Sequence, residues 1–448
     1  WAAALAALCA SSSSVLITPA VAQEAEADDA ETLARLFGTR SSVLDISLSP
    51  SGTKVAWVAS GPGHFEALNV YDLEGDGEIK RITSNTEIVA DLSSCDWATD
   101  TRLLCNLYGL AERTDGLLLG YTCMFAVDYD GSNPKQITRS QSFRDQGFNQ
   151  DGGDIVALDV AGEDGKLLIT RNWVPQSSIG TQIQSKGEGL GVELLDIETG
   201  KRRTREKPDV NASFFIADET GVLRLKARDL ADKRGVLSGR RVFLVRDNRK
   251  AQWETLDGVT LGGAVIENFS PVAVDAGRNS VLAYQTINGF TALIEIPLSG
   301  EQAATIIARR EDADIDGLVR IGRQRRVVGV TYATEKRSVE YFDPDLAKLA
   351  SGLMKALPNQ PIISIVGASS DENRLLIIAS SDTDPGSVYV YDKTTRRLEV
   401  LLAMREALVD RPMGTMTPVT YPAADGTEIP GYLTLPNDVE AKNLPTIV

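Results

Sequence analysis

Histidine is almost missing from this sequence: of 448 residues, only His64 is a histidine. A Ser-His-Asp triad needs an imidazole held beside its serine, and a histidine-based zinc site takes more than one. The strings that carry catalytic mechanics are missing as well, with no G-x-S-x-G elbow, no H-E-x-x-H and no P-loop. The glycines of "KGEGLGVE" have the wrong spacing for a dinucleotide turn. These absences leave residues 1–448 with no catalytic residue, no cofactor-binding residue and no resident metal or cofactor to name. His64, in "GPGHFEAL", reads as a loop histidine.

Basic clusters are lacking too. Acidic residues outnumber basic ones 62 to 46, a net charge of −16, and no lysine- or arginine-rich stretch offers the footprint that nucleic acid requires. The acidic balance reads as a solubilising surface. Long hydrophobic runs are also absent. Residues 1–22, "WAAALAALCASSSSVLITPAVA", carry no charge, but four serines and Pro19 break them well short of a membrane span. Ala20-Val21-Ala22 has the small-x-small form of a signal-peptide end, with cleavage before Gln23. Leu8 precedes Cys9 where a lipoprotein box wants a small residue, so no lipid anchor is read. We expect export to the periplasm or beyond, with no membrane span after cleavage. The sequence opens on Trp1 without a basic n-region and closes on the apolar run "LPTIV", so we expect both ends to lie inside a longer polypeptide.

Cysteine is scarce. After cleavage Cys95, Cys105 and Cys123 remain, and the first two sit in "SSCDWATDTRLLCNLY", two β-rich runs joined by a Thr/Asp turn. A hairpin there sets them nearly opposite each other. In an oxidising compartment they form a disulfide or stay as buried thiols, and spacing does not choose between the two.

What the sequence has in quantity is one repeated sentence. From Ser42 to about Ala403, a turn with Asp, Gly or Ser leads into an apolar alternating strand, a second strand ending in Asp, and a polar hairpin. "SPSGTKVAWVAS", "DYDGSN" and "DIETGK" are typical pieces. Seven copies fall at 42–83, 88–138, 150–205, 211–257, 264–310, 315–360 and 361–403, the period of propeller blades. The expected fold is all-β, a seven-bladed β-propeller. Two helices interrupt it: "DDAETLARLFGTR", with Leu33, Leu36 and Phe37 on one face, and "DPDLAKLASGLMKALP", with Leu346, Leu349, Leu353 and Leu357 on one stripe. Two acidic turns have alternate carboxylates before a glycine, as calcium loops do: Asp72, Glu74 and Asp76, and Asp312, Asp314 and Asp316. The place of the closing bidentate Glu holds Thr83 in one and Arg323 in the other, and turn chemistry alone produces the same pattern.

Residues from about 315 onward, "FDPDLAKLASGLMKALPNQ" through "YPAADGTEIPGYLTLP" and "NLPTIV", resemble the prolyl oligopeptidase family of serine peptidases, in particular its exported acylaminoacyl-peptidase-like bacterial members. Asp425-Gly426, Ile429, Gly431-Tyr432-Leu433 and Pro436 match the family's D-G-x-x-I-x-G-Y-L hairpin, and Pro445–Val448 its following strand. The resemblance implies four segments: a partial signal peptide (1–22), an acidic linker with a short helix (23–41), a substrate-gating propeller (42–410) and the first strands of an α/β-hydrolase domain (411–448). It implies peptide substrates and a Ser-Asp-His triad beyond the end of this sequence. The rival expectation is a non-catalytic periplasmic Tol-type propeller acting as a protein-binding scaffold. Oligomeric state and cleavage specificity are not legible.

Overall fold

In the computed structural model, residues 30–448 are described except 88, 113–115, 141, 148, 179–186, 233, 249–251, 360, 438, 439 and 448. The signal-peptide reading of residues 1–22 and the acidic linker at 23–29 lie outside the described residues. Helix α1 (Ala30–Gly38) forms where the first helical pattern stands, in a unit of its own.

In the second unit seven sheets form a ring, each taking its strands from consecutive sequence; their blade strands are antiparallel, and in blade 5 a short hairpin, Thr260–Leu261 with Ala264–Val265, adds on parallel to the last strand. Blades 1 to 7 cover residues 43–85, 90–136, 155–209, 212–255, 270–308, 315–341 and 362–403. These are the repeats of the sequence, in the same order and nearly the same bounds. Blade 6 departs from four strands: it has three, and helix α2 (Pro344–Ala356) follows its third strand. Asp343 fixes the start of α2 by accepting hydrogen bonds from the Asp345 and Leu346 amides, with Pro344 in the first turn. Its leucine stripe then packs onto the blade 6–7 core through buried Leu346 and Leu353, with Leu349 and Leu357 beside them. Among the described residues, no helix is long and apolar enough to cross a membrane.

The period-two alternation has a different meaning from the half-buried strands that the sequence suggests. In the second strand of blade 1, Val55, Ala56, Trp57 and Val58 are all buried. Val55 faces blade 7 with Leu376, Val388 and Val390, while Ala56 and Val58 face blade 2 with Leu92, Cys95 and Leu103. Blade 3 divides the same way, Leu167 and Ile169 packing on blade 2 and Leu168 on blade 4. Alternation here sorts residues between two neighbours rather than between core and water, because a blade inside a ring is covered on both faces. The seven apolar clusters of described residues accordingly correspond to the seven blade interfaces.

Among the described residues no strand is exchanged between the first and last blades, and side chains with a few backbone contacts join them. Arg374 of blade 7 donates to the Gly52 carbonyl (3.0 Å) and pairs with Glu74 of blade 1 (2.7 Å). The Ser42 amide donates to the Met404 carbonyl (2.8 Å), and the Ser370 amide to the Pro50 carbonyl (2.7 Å). Gly52 has φ +75°, and a Cβ there would lie 3.0–3.1 Å from Ser369 and Arg374, so glycine is required both for the turn and for the closure.

Cys95 and Cys105 are directly opposite in the first two strands of blade 2 and are disulfide-bonded, buried in the blade 1–2 core; Cys123 is free. Of the segment matched to a following strand, Pro445–Ile447 form none, and Val448 lies outside the described residues. Residues 444–447 carry no strand, and Ile447 is fully exposed. An extended segment counts as sheet only when its amides find a neighbouring strand, and no described strand pairs with this one. The preceding hairpin does form, Thr415–Pro422 against Glu428–Leu435 in unbroken register.

Two outcomes follow. Arg374→Ala should cost about 1–3 kcal/mol in a urea melt, as loss of charge-assisted bonds predicts, whereas Arg326→Ala, which removes the exposed Arg326–Glu372 pair, should change stability by less than about 0.5 kcal/mol. Alkylation of the unfolded, unreduced chain should leave Cys95 and Cys105 unmodified, and reduction should open both and lower stability by about 2–3 kcal/mol. Alkylation of either residue before reduction would contradict the bond.

Candidate functional site: the central cavity

The innermost strand of every blade lines the ring axis, and between them lies a cavity of about 500 Å³. Ile46, Trp97, Ala157, Phe215, Val272, Arg320 and Ala368 contribute to its wall, one from each blade. Because each innermost strand runs toward the turn that joins it to the second strand, all seven of those turns share one end of the axis. The loops between second and third strands share the other. The C-terminal hairpin belongs to this second end: the Met416 amide donates to the Asp382 carboxylate (2.8 Å), and the Tyr432 hydroxyl to the Thr334 carbonyl (2.9 Å). Asp382 and Thr334 sit in the second-to-third-strand loops of blades 7 and 6. Asp425-Gly426 make the hairpin's turn, Gly426 at φ +84° and Asp425 accepting from the Thr427 amide.

The cavity wall carries charge of both signs. Asp45 accepts a hydrogen bond from the Cys95 amide (2.8 Å), and Ser47 donates to the Cys95 carbonyl (2.7 Å), joining the innermost strands of blades 1 and 2. Burial pushes the Asp45 carboxyl up to about 6, against the Cys95 amide, which lowers it, with Asp96 adding repulsion. Burial also raises the Asp96 carboxyl, opposed by Arg325 and Arg323. From blade 6, Arg320 donates to the Val272 carbonyl (2.7 Å), and its burial lowers its own pKa. Arg323 is buried and spans to Trp97, Ala98 and Asp159. A buried wall with paired donors and unevenly titrating carboxylates suits a polar, charged ligand, not an apolar one.

The candidates named from sequence lie elsewhere. His64 is exposed on a second-to-third-strand loop of blade 1 and does not line the cavity. The two acidic turns do not gather ligands. Asp72 and Asp76 cap their own turn amides, and Glu74 is held by Arg374. Arg310 grips Asp312 with two bonds (2.8 and 2.7 Å), Asp314 accepts from the Thr291 amide, and Asp316 accepts from Thr331 and Arg337. No group of three His, Cys, Asp or Glu side chains fit for a metal occurs among the described residues. Sequence reading passed over Asp45, Asp96, Arg320 and Arg325. One signal was available: in "RIGRQRR" Arg323 and Arg325 occupy the turn, and Arg320 and Arg326 flank it.

Asp45 supplies a pH prediction. Its folded-state pKa lies above its ordinary 3.8, so the native state holds the proton more tightly and stability declines as pH rises from about 4 through 6. Asp45→Asn keeps an acceptor for the Cys95 amide without the titration. Its stability relative to the parent should grow across that window and level off above it, by on the order of 2–3 kcal/mol. Thermal melts at pH 4 to 8 measure this, and a pH-independent difference would contradict it.

No family model matches the chain. It is 22% identical over 415 residues to dipeptidyl aminopeptidase BIII of Pseudoxanthomonas mexicana, a match covering 92% of this chain and 54% of that protein. Among solved structures, a chain from a study of two prolyl endopeptidases is similar with a TM-score of 0.54 and 12% identity, over 92% of this chain and 57% of its own. A puromycin hydrolase gives 0.51 and 15%, over 92% and 62%. Prolyl oligopeptidase B from Galerina marginata gives 0.51 and 13%, over 90% and 56%. The chain thus spans about half the length of the curated relative it matches. In sequence and in fold together, its resemblance is to the propeller portion of the prolyl oligopeptidase family.

Proposed function

We propose that this chain is the substrate-gating propeller, with the opening hairpin of an α/β-hydrolase domain, of an exported serine peptidase that cleaves short peptides. The observation that carries the reading is the match to the dipeptidyl aminopeptidase, which takes in 92% of this chain but only 54% of the relative. In this reading a Ser-Asp-His triad lies on sequence beyond residue 448. The serine, deprotonated by the histidine, attacks the peptide carbonyl while backbone amides stabilise the oxyanion. The propeller's part is selection. A cavity of about 500 Å³ takes a short, extended peptide and excludes a folded domain. The docking of the hairpin on the loops of blades 6 and 7 supports the reading, in which the hydrolase domain stands at that end of the ring. Periplasmic or secreted location belongs to the same proposal and agrees with the Cys95–Cys105 bond.

A fluorophosphonate probe tests this reading. Residues 1–448 should not be labelled, while the polypeptide encoded by the intact native gene should be labelled stoichiometrically and should hydrolyse short peptides. Labelling of residues 1–448 would refute the placement of the triad. Absence of labelling in the intact product would favour the scaffold function instead.

A further inference from the structure

Two arginines of blade 6 stand side by side in the cavity wall without a counter-charge. Arg320 lies near the end of the innermost strand (Ile315–Ile321), and Arg325 ends the turn that follows, away from the C-terminal hairpin. Arg320 donates through Nη1 to the Arg325 carbonyl (3.3 Å) and through Nη2 to the Val272 carbonyl (2.7 Å). Burial lowers its pKa, and the charge of Arg325 lowers it further. Among the described residues, neither guanidinium makes an ion pair with a carboxylate. Most other charged groups of the wall are held: Arg323 by Asp159 (2.9 Å), Arg326 by Glu372 (2.9 Å), Asp218 by Arg224 (3.0 Å) and Glu219 by the Ala276 amide (3.0 Å). Asp96 is attracted by Arg325 and Arg323 but pairs with neither. Arg325 also has φ +53°. Just before their second strands, blades 1, 3, 4 and 5 fill the corresponding left-handed position with Gly52, Gly165, Gly221 and Asn279, which adopt it readily; blade 7 has Glu372. Arginine there carries backbone strain, of the kind found at binding sites.

We propose that Arg320 and Arg325 form an anion subsite at this end of the cavity, which takes the carboxylate of a small ligand. A bound carboxylate relieves the repulsion between the two guanidinium groups and offsets the burial of Arg320. The planar fork of a guanidinium matches the two oxygens of a carboxylate with parallel N–H bonds. The rest of the wall selects the ligand's charge. Six acidic side chains and four arginines line the cavity, so a phosphate dianion meets a net negative surrounding, and a single carboxylate is repelled less. A peptide offers that group at its C-terminus or on an acidic side chain. The proposal rests on the cavity and not on the peptidase reading.

Titration calorimetry of residues 1–448 at neutral pH tests this with four probes. N-acetyl-dialanine carries a terminal carboxylate, N-acetyl-aspartyl amide a side-chain carboxylate, N-acetyl-dialanine amide neither, and inorganic phosphate stands for other anions. At least one carboxylate probe should bind at a single site, about tenfold or more tighter than the neutral amide, and the tighter of the two identifies the source of the carboxylate. Arg325→Gln should weaken that binding by about tenfold or more, the factor for losing a charge-assisted hydrogen bond. Arg320→Gln should do the same; if it fails to fold, the exposed Arg325 decides the matter. Arg326→Gln, which breaks only the exposed pair with Glu372, should change the affinity by less than about twofold. The proposal is wrong if neither carboxylate probe binds, if the neutral amide or phosphate binds as tightly, or if Arg326→Gln weakens binding as much as Arg325→Gln.

Discussion

Every blade of this ring depends on the contact between its last blade and its first. A propeller whose end blade is completed by a strand from the other terminus carries backbone hydrogen bonds across the seam. Here, among the described residues, no strand crosses the seam. Its apolar part is small: five fully buried residues among those described, Leu48, Val55, Leu376, Val388 and Val390, against eleven between blades 4 and 5. Arg374 makes up part of the difference by satisfying the Gly52 carbonyl and Glu74 together. The pattern recurs elsewhere. Arg102 of blade 2 donates to the Ile197 carbonyl of blade 3, and Arg224 of blade 4 to the Asn279 side chain of blade 5. Each is the first or second residue of its blade's second strand, where a long cationic side chain can reach the next blade.

That arrangement also explains the charge inside the cavity. Innermost strands converge on the axis, and their side chains cannot all be apolar without filling it, so polar groups line it at a desolvation cost. Asp45 and Asp96 show the cost in their raised pKa values. Arg320 and Arg323 offset their own burial with backbone carbonyls and, for Arg323, with Asp159. Fixed charges of both signs in a low-dielectric cavity favour a ligand of complementary charge.

Local chemistry made much of the fold legible. Turn residues at regular spacing and alternating apolar runs marked seven units whose bounds the structure keeps, because each blade is built from one continuous stretch and a local signal suffices. The stripe of Leu346, Leu349, Leu353 and Leu357 announced α2, and Asp425-Gly426 the final hairpin, for the same reason. Residues 445–447, matched to a following strand, form none, because their local signal has no described neighbour to meet. Cys95 and Cys105 stood between: a hairpin brought them opposite each other, but the bond depended on the side chains sharing one face of the blade 1–2 interface.

The sequence by itself determined the blade count and the hairpin's turn, both matters of residue type and short-range order. Only the tertiary structure decided which residues meet across the axis. Asp45 and Asp96, and Arg323 and Asp159, are brought together by ring closure, so no spacing rule connects them. Arg323 is the plainest instance. In the sequence it was only the residue occupying the closing place of a calcium-like loop; in the ring it bridges three blades, because a turn on the axis reaches what the rest of its blade cannot.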